Sequence, residues 1–381
     1  MGLRPEVDVA VVGAGPVGSA LALMLRRAGR STLLLDQSAF PRDKPCGEGL
    51  MPAGVRVLEA IGIDLGGFPP LAGVTYKLPV AGSVAGRFAE GATGRGVRRR
   101  AFDSTLAAAA AATPNVETAF ECRVSGVTLG AGAVQVETNR GRVRARVLIG
   151  ADGLRSRVAR WLGWSRPPAL PHRYALVGHL DAPGHGFDRI VVTLLDGCEL
   201  YLAPTAADEL LVALLGSKTG LRIAGESTLA SYRRRVAEAH PELAGAAAGR
   251  IQGAGPFSTR PSQVAQGRAF LVGDAAGFLD PLTGEGITAG LLAAERLAVE
   301  LTNDEARAAE AYRRWEAAQW RRRVLMSRIA LTLTRSTRLA ERALRGLNRR
   351  PAAFARLLQV NEGTRSPLSM PLTDWAALAG L

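Results

Sequence analysis

Three glycines near the amino terminus have the spacing of a turn that holds a phosphate group. Gly13 permits a tight turn, Gly15 lets the backbone approach a pyrophosphate, and Gly18 allows a helix to pack closely on a strand. Asp36 follows about 20 residues later, where a carboxylate can bind the hydroxyls of a ribose. We therefore predict a dinucleotide site whose phosphate-binding residues are Gly13, Gly15, Pro16, Val17 and Gly18.

The elements that would position this turn lie on both sides of it. Residues 7–12 form an apolar, β-branched run, which predicts a buried parallel strand. The segment 19–29 predicts a helix closed by a glycine, and 31–36 predicts a second strand. The amino terminus of such a helix presents free N–H groups and a partial positive charge to a phosphate.

Two further aspartates follow apolar runs later in the chain. Asp152 lies in the run GADGLRS, and Gly273 and Asp274 lie in the run LVGDAAG. A stretch rich in glycine and proline, residues 280–287, then precedes a predicted helix. Each of these turns alone would be ordinary. Their order after the glycine turn indicates one cofactor site built from distant parts of the chain.

These three motifs resemble those of the group A FAD-dependent monooxygenases, the para-hydroxybenzoate-hydroxylase-like superfamily, over roughly residues 7–300. The runs DAAGFLDPLTGEGI and KPCGEGLMP are most similar to the geranylgeranyl reductase and flavin halogenase branch. The resemblance implies bound FAD, with Asp274 on the ribityl hydroxyls and Asp152 holding its loop against the cofactor. It also implies that the flavin ring lies against the Gly/Pro loop and its neighbours, which gives the further cofactor residues Gly273, Pro281, Gly284, Gly286 and Ile287.

Arginines are a second part of the resemblance. The run RRRAFD is similar to the family segment R-x-x-(F/L)-D, in which the arginine contacts FAD, and we carry this role to Arg100, three residues before Asp103. The family often has another arginine three residues after the serine of the central motif. Here that position is Ala159, with Arg157 and Arg160 beside it, so which arginine acts stays open.

The patterns together predict an α/β fold. We expect an FAD-binding Rossmann-like domain of the glutathione-reductase type, an inserted antiparallel β-sheet domain for the substrate, and a helical C-terminal region. The predicted segments are 1–72, 99–170 and 262–302 for the FAD domain, 73–98 and 171–261 for the substrate sheet, and 303–381 for the helical region. No second glycine motif follows a strand, so NAD(P)H is expected to bind transiently over the flavin.

The resemblance leaves the reaction open. We expect hydroxylation or epoxidation of a hydrophobic aromatic or polycyclic molecule, with O2 and NAD(P)H, through a flavin C4a-hydroperoxide, as in secondary metabolism. The alternative is a prenyl reductase that saturates isoprenoid double bonds, as Cys46 in its reductase-like position indicates. Against it, the run CELYLAP keeps only an aromatic and the proline of the reductase segment P-x-x-Y-x-W-x-F-P. The halogenase pattern W-x-W-x-I-P is absent. Cys46 and Tyr201 are the candidate catalytic residues, although Cys46 is equally a small packed residue.

The composition limits the remaining partners. The net charge of +14 is concentrated in an arginine-dense segment, about 307–356, which is a solvated helix face or a peripheral contact with an anionic membrane. We expect no nucleic acid partner. The four histidines lack ligand spacing and the three cysteines lie far apart, so no metal site or disulfide framework is predicted. The first residues lead straight into the glycine motif without a signal peptide, which favours the cytoplasm.

Overall fold

The computed structural model describes residues 3–79, 81–169 and 171–380, so the predicted segment ends at 1, 170 and 381 lie outside the described residues. The strands are β1 (Glu6–Val12), β2 (Thr32–Leu35), β3 (Gly49–Leu50), β4 (Pro70–Leu71), β5 (Gly73–Leu78), β6 (Gly82–Arg87), β7 (Gly94–Gly96), β8 (Val116–Ala119), β9 (Val124–Leu129), β10 (Val134–Thr138), β11 (Gly141–Gly150), β12 (Tyr174–Asp181), β13 (Ile190–Leu195), β14 (Cys198–Pro204), β15 (Glu209–Gly216), β16 (Gln252–Ala254), β17 (Ala265–Gln266) and β18 (Ala269–Leu271). The helices are α1 (Pro16–Arg27), α2 (Pro52–Ala60), α3 (Arg99–Ala111), α4 (Arg157–Trp161), α5 (Thr228–Ala239), α6 (Gly286–Asn303), α7 (Ala308–Thr334), α8 (Thr337–Arg349), α9 (Pro351–Glu362) and α10 (Leu372–Leu378).

The larger sheet carries the predicted dinucleotide fold. Its strands follow the order β17-β18-β11-β1-β2-β8, and β10 and β9 continue from β11 as an antiparallel hairpin. The central pairs β11–β1, β1–β2, β2–β8 and β11–β18 are all parallel. Helix α1 begins at Pro16, earlier than predicted, because a proline fits the first helical position, where no N–H is needed. The α/β class and the Rossmann-like unit are confirmed.

The second sheet is the inserted one. Its order is β16-β12-β15-β14-β13-β5-β6, antiparallel except for the parallel pair β13–β5. Strand β14 is buried on both faces because alternate side chains enter different clusters. Leu200 and Leu202 pack with Tyr232 of α5, whereas Tyr201 and Ala203 pack with residues of the C-terminal helices. The second face points Tyr201 towards the site described below.

One feature differs from the predicted segments. Gly94–Gly96, placed by the sequence in the substrate sheet, pairs instead with Gly49–Leu50 and Pro70–Leu71 in a small three-stranded sheet. The sequence predicts a helical region without its contacts, and in the structure α8 and α9 pack on β6 while α7 packs on α6. Among the described residues, no helix is long and apolar enough to cross a bilayer.

Candidate cofactor and substrate site

A cavity of about 680 Å³ lies where the parallel strands of the larger sheet end. Residues that follow β1, β2, β11 and β18 line it, which is the usual ligand position in sheets of this kind. Its opposite wall comes from the second sheet. The cavity brings together Gly13, Gly15, Pro16, Val17, Asp36, Cys46, Asp152, Tyr201, Gly273, Asp274, Pro281, Gly284, Gly286 and Ile287. Of the predicted site residues, Gly18 and Arg100 lie outside its wall.

The glycine turn packs directly against the loop that follows β11. Gly13 has a φ of 107°, which only glycine adopts readily, and an added Cβ there would overlap the carbonyl of Ala151. Gly18 does not line the cavity, and a Cβ added there would overlap the carbonyl oxygen of Gly13. Its role is the predicted helix–strand packing. The turn therefore leaves the backbone around Gly15 open to a phosphate at the start of α1.

Asp36 closes the wall beside this turn. Its carboxylate accepts hydrogen bonds from the backbone N–H groups of Ala14 and Ser38, both at 2.9 Å. Arg42 Nη2 lies 3.6 Å from Asp36 Oδ2. These contacts fix the carboxylate in the cavity wall, where its remaining lone pairs can accept from ribose hydroxyls.

Asp152 is held from one side only. Its Oδ2 accepts from the backbone N–H groups of Arg157 at 2.6 Å and Val158 at 3.1 Å, at the start of α4. Its Oδ1 is buried and has no partner among the described residues, and burial raises the pKa of the carboxyl. A buried polar atom without a partner costs free energy, which a ligand donor would offset. Of the two arginines left open by the sequence, Arg157 lines the cavity and Arg160 does not.

Asp274 and Lys44 face the same part of the cavity. Removal from water raises the pKa of the Asp274 carboxyl, and it lowers the pKa of the Lys44 ammonium, which also lies near Arg99. Sequence reasoning missed Lys44 as a cofactor residue, and its only signal was a lysine inside the run KPCGEG. A carboxylate and an ammonium together suit the hydroxyls and phosphates of a ribityl diphosphate chain.

Of the consecutive residues Arg98, Arg99 and Arg100, Arg99 lines the cavity, one residue before the predicted one. Arg100 is exposed, whereas Arg99 is 6% exposed and binds Asp103 through two hydrogen bonds of 2.6 and 2.8 Å. Successive helical residues point about 100° apart, so only one of the two can face the cavity. Arg42 Nη1 lies 3.4 Å from the same carboxylate. We correct the candidate cofactor contact from Arg100 to Arg99.

The C-terminal helices hold the Gly/Pro loop from behind. Glu285, which precedes α6, is buried, and burial raises the pKa of its carboxyl. Arg322 of α7 donates to Glu285 Oε2 at 3.1 Å and to the backbone carbonyls of Val360 and Asn361. Asn361 Nδ2 donates to the carbonyl of Thr283 at 2.9 Å. The helical region is therefore part of the site and fixes the loop against which a flavin ring would lie.

Replacing Arg322 with methionine leaves Glu285 buried and unpaired. We expect the free energy of unfolding to fall by about 3–5 kcal/mol, the usual result of breaking a buried ion pair. Urea denaturation followed by tryptophan fluorescence measures this loss. Arg314→Met on the same helix is the control, because its partner Glu310 is exposed and the expected loss is about 0.5 kcal/mol or less. Equal losses in both variants would contradict a stabilising role for the buried Arg322–Glu285 ion pair.

The part of the cavity under the second sheet is apolar. Its wall includes Val177, Leu215 and Phe257 from the second sheet and its flank. Tyr201 packs with one ring atom 3.3 Å from the Cβ position of Gly47, and its hydroxyl has no partner in the described part of the chain. Burial raises the pKa of the Tyr201 hydroxyl. Burial also raises the pKa of the Cys46 thiol, although the nearby Arg99 guanidinium acts in the opposite direction.

This arrangement defines a class of protein that binds a dinucleotide with a long polar chain beside an apolar substrate chamber. The glycine cradle, the unpaired Asp152 oxygen and the Asp274–Lys44 pair all fit FAD. Residues 6–170 match the FAD binding domain family. The chain belongs to the superfamily of group A FAD-dependent monooxygenases and their reductase and halogenase relatives, as its motifs predicted, and it is an FAD-dependent oxidoreductase.

Three known proteins illustrate the range of this superfamily. The menaquinone reductase of Mycobacterium tuberculosis is 32% identical over 347 residues, covering 79% of this chain and 78% of the relative. A 3-(3-hydroxy-phenyl)propionate/3-hydroxycinnamic acid hydroxylase of a Mycobacterium species is 27% identical over 333 residues, covering 78% of this chain and 54% of the relative. The structure of a flavin-dependent brominase superimposes with a TM-score of 0.82 at 19% identity, covering 98% of this chain and 97% of the brominase, which shows the shared fold.

Proposed function

We propose that this enzyme reduces a carbon–carbon double bond in the apolar part of a lipophilic small molecule. The observation that carries the proposal is that two proton donors, Cys46 and Tyr201, line the same cavity, which also has an apolar wall. Both have a raised pKa, so both keep their protons at neutral pH. The similarity to a menaquinone reductase at 32% identity supports a reductive reaction.

The residues of the cavity divide between cofactor and substrate. The glycine turn would hold the FAD diphosphate, Asp36 a ribose, Asp274 and Lys44 the ribityl chain, and residues 281–287 the flavin ring. When bound and reduced by NAD(P)H, FAD would supply a hydride, which carries two electrons and one proton. The apolar wall of the second sheet binds the substrate and excludes water from the reacting bond.

Cys46 supplies the second hydrogen in this proposal. Saturation adds two electrons and two protons in total, so one alkene carbon must receive a proton from an acid. The Cys46 Sγ–H bond breaks as a C–H bond forms, and the thiolate is reprotonated from solvent after product leaves. Arg99 lies close enough to Cys46 to stabilise the transient thiolate. Tyr201 holds its proton at the hydroxyl on the same wall and orients the chain.

The test is turnover without oxygen. Purified holoenzyme is mixed with NADH or NADPH and an isoprenoid quinone, under argon and in air, and oxidation of the nicotinamide is followed by absorbance. We expect the substrate to stimulate oxidation equally in both atmospheres, with no oxygen consumed beyond the background without substrate. Stimulation that requires oxygen would refute the reductase.

Monooxygenation, the sequence-based preference, is the second candidate. The similarity to a hydroxylase at 27% identity favours it, and the dry apolar wall would suit oxygen chemistry as well. None of the four histidines lines the described part of the cavity, so a phenolic substrate would find no imidazole base there. For this reason we place reduction first. O2 as a co-substrate and the cytoplasmic location stay predictions.

The proposal predicts a pH profile with a definite sign. The protonated thiol is the active form, and a raised pKa moves its loss to higher pH. The rate of substrate reduction should therefore still exceed half of its maximum at about pH 8.5, the ordinary thiol value, and be lost mainly above it. Single-turnover rates with pre-reduced enzyme measure this, and flavin reduction by NAD(P)H at each pH is the control. A rate already halved near pH 7 would contradict a protonated Cys46.

The C-terminal helices offer a route for a lipophilic substrate from an anionic membrane. Helix α8 exposes arginines on its outer face. Leu368, just before the adjoining α10, and Leu372, the first residue of α10, are 97% and 85% exposed. Arginines near an anionic surface contribute about 1 kcal/mol each. We propose peripheral contact with such a surface, and no nucleic acid partner.

Vesicle sedimentation tests this contact. The protein should pellet with phosphatidylglycerol-containing vesicles and not with pure phosphatidylcholine. Leu368→Ser combined with Leu372→Ser should weaken binding by at least about tenfold. Leu129→Ser is the control, because Leu129 is 47% exposed on β9 and lies outside the helical region. Equal binding by both variants, or no binding at low salt, would rule out the contact.

A further inference from the structure

A second, smaller cavity lies behind Tyr201, between the second sheet and the C-terminal helices. It has a volume of about 100 Å³. No charged side chain lines it among the described residues, and its few polar neighbours are Tyr76, Thr283, Thr334, Asn361 and the Tyr201 hydroxyl. Its apolar wall includes Met51, Val192, Met326, Ala343, Leu344 and Leu347. A hydrocarbon group suits this mostly apolar wall, because it has no hydrogen bonds to water to lose on binding.

Tyr201 belongs to the walls of both cavities. A Cβ added at Gly47 or Gly284, on the cofactor side, would lie 3.3 or 3.5 Å from its ring. The hydroxyl of Tyr201 has no partner in the described part of the chain. Met51 lies beside it, with its terminal methyl 3.2 Å from the Cβ position of Gly284. Tyr201 is thus the residue that the walls of the two cavities share.

We propose that the smaller cavity is a tail compartment that binds the hydrocarbon chain of the substrate while the reacting group lies in the cofactor cavity. This rests on the proposed function only in requiring a lipophilic substrate, not in requiring reduction. The chain would pass Tyr201, and Ala343, which α8 contributes to the wall of the compartment, limits the length of chain that fits. An apolar cavity of about 150 Å³ admits a benzene molecule, so this compartment suits about one isoprene unit or four to five methylenes.

The compartment explains why the helical region closes over the second sheet. Ala340 and Ala343, both about 1% exposed, are the small residues that α8 presents to this space. Larger side chains there would fill it, because leucine adds three carbons to alanine. The length of chain that the enzyme binds is therefore set by residues of α8, far in sequence from the cofactor motifs.

The experiment is a binding series with the oxidised holoenzyme. 4-Alkylphenols, from 4-methylphenol to 4-octylphenol, are titrated and the perturbation of the flavin absorbance gives each Kd. We expect affinity to rise about three- to fourfold per methylene and then to level off once the compartment is full. In Ala343→Leu the plateau should come about three carbons earlier. Ala352→Leu, which adds the same volume at an exposed site on α9, should follow the wild type.

A second variant keeps the proposal testable if Ala343→Leu folds poorly. Leu347→Ala enlarges the compartment, and its plateau should come about three carbons later. The same plateau in wild type, Ala343→Leu and Leu347→Ala would overturn the tail compartment, as would an affinity independent of chain length. Because the series measures binding without turnover, an oxygen-dependent reaction would refute the reductase and leave this result unchanged.

Discussion

Replacing Cys46 with alanine should lower the rate of substrate reduction by about 10²–10⁴-fold, the usual contribution of a positioned general acid. The thiol lies in the cavity wall, and its raised pKa keeps it protonated at neutral pH. Alanine removes the acid and leaves the wall intact. Reduction of the flavin by NAD(P)H should be unchanged, because that step requires no proton from Cys46. Stopped-flow absorbance separates the two half-reactions.

Cys198→Ala is the matched control for this variant. Cys198 is also a free cysteine with a raised pKa, but it lies in the cluster beside α5, away from the cavity. Its substrate reduction should match the wild type. Wild-type rates in Cys46→Ala, together with a large loss in Tyr201→Phe, would identify Tyr201 as the proton donor. Wild-type rates in both variants would remove the proposed acid altogether.

Replacing Gly18 with alanine should weaken FAD binding by roughly 5- to 150-fold, since overpacking at a closed contact costs about 1–3 kcal/mol. An added Cβ would overlap the carbonyl oxygen of Gly13, which is itself in a turn that only glycine adopts readily. The collision displaces the turn that would hold the diphosphate. The measurement is the ratio of flavin to protein after purification, followed by fluorescence titration of the apoprotein with FAD.

Gly67→Ala is the control for the glycine turn. A Cβ at Gly67 meets no atom within 4 Å, and its backbone needs no positive φ. This variant should keep the wild-type flavin content. If Gly18→Ala also kept full flavin content and affinity, the close packing of α1 on the glycine turn would not be what positions the cofactor.

The sequence could group the residues of the candidate cofactor site because their patterns are local. Gly13, Asp36 and Asp152 act through backbone conformation and strand ends, and both are set by residues close by in the chain. The expectation at Arg100 placed the arginine three residues before Asp103, whereas R-x-x-(F/L)-D places it four before, at Arg99, which is the residue that lines the cavity. A shift of one residue on a helix changes an exposed side chain into a buried one.

The rest of the site depends on contacts that no local pattern carries. Arg322 meets Glu285 across 37 residues and pairs α7 with the Gly/Pro loop. Sequence reasoning saw only an arginine-dense helical tail there. Likewise, the positions of Lys44 and Ala343 in cavity walls could not be predicted from their neighbours in the sequence. Charge and hydrophobicity predict that a helix packs somewhere, and tertiary packing decides what its side chains do.

The most direct measurement of the central claim is the mass of the product. The holoenzyme is incubated with NAD(P)H and an isoprenoid quinone under ¹⁸O-labelled dioxygen, and the extracted product is analysed by mass spectrometry. The account predicts a product that has gained two hydrogen atoms in its chain and contains no labelled oxygen. A product that has gained one labelled oxygen atom would contradict it and identify the enzyme as a monooxygenase.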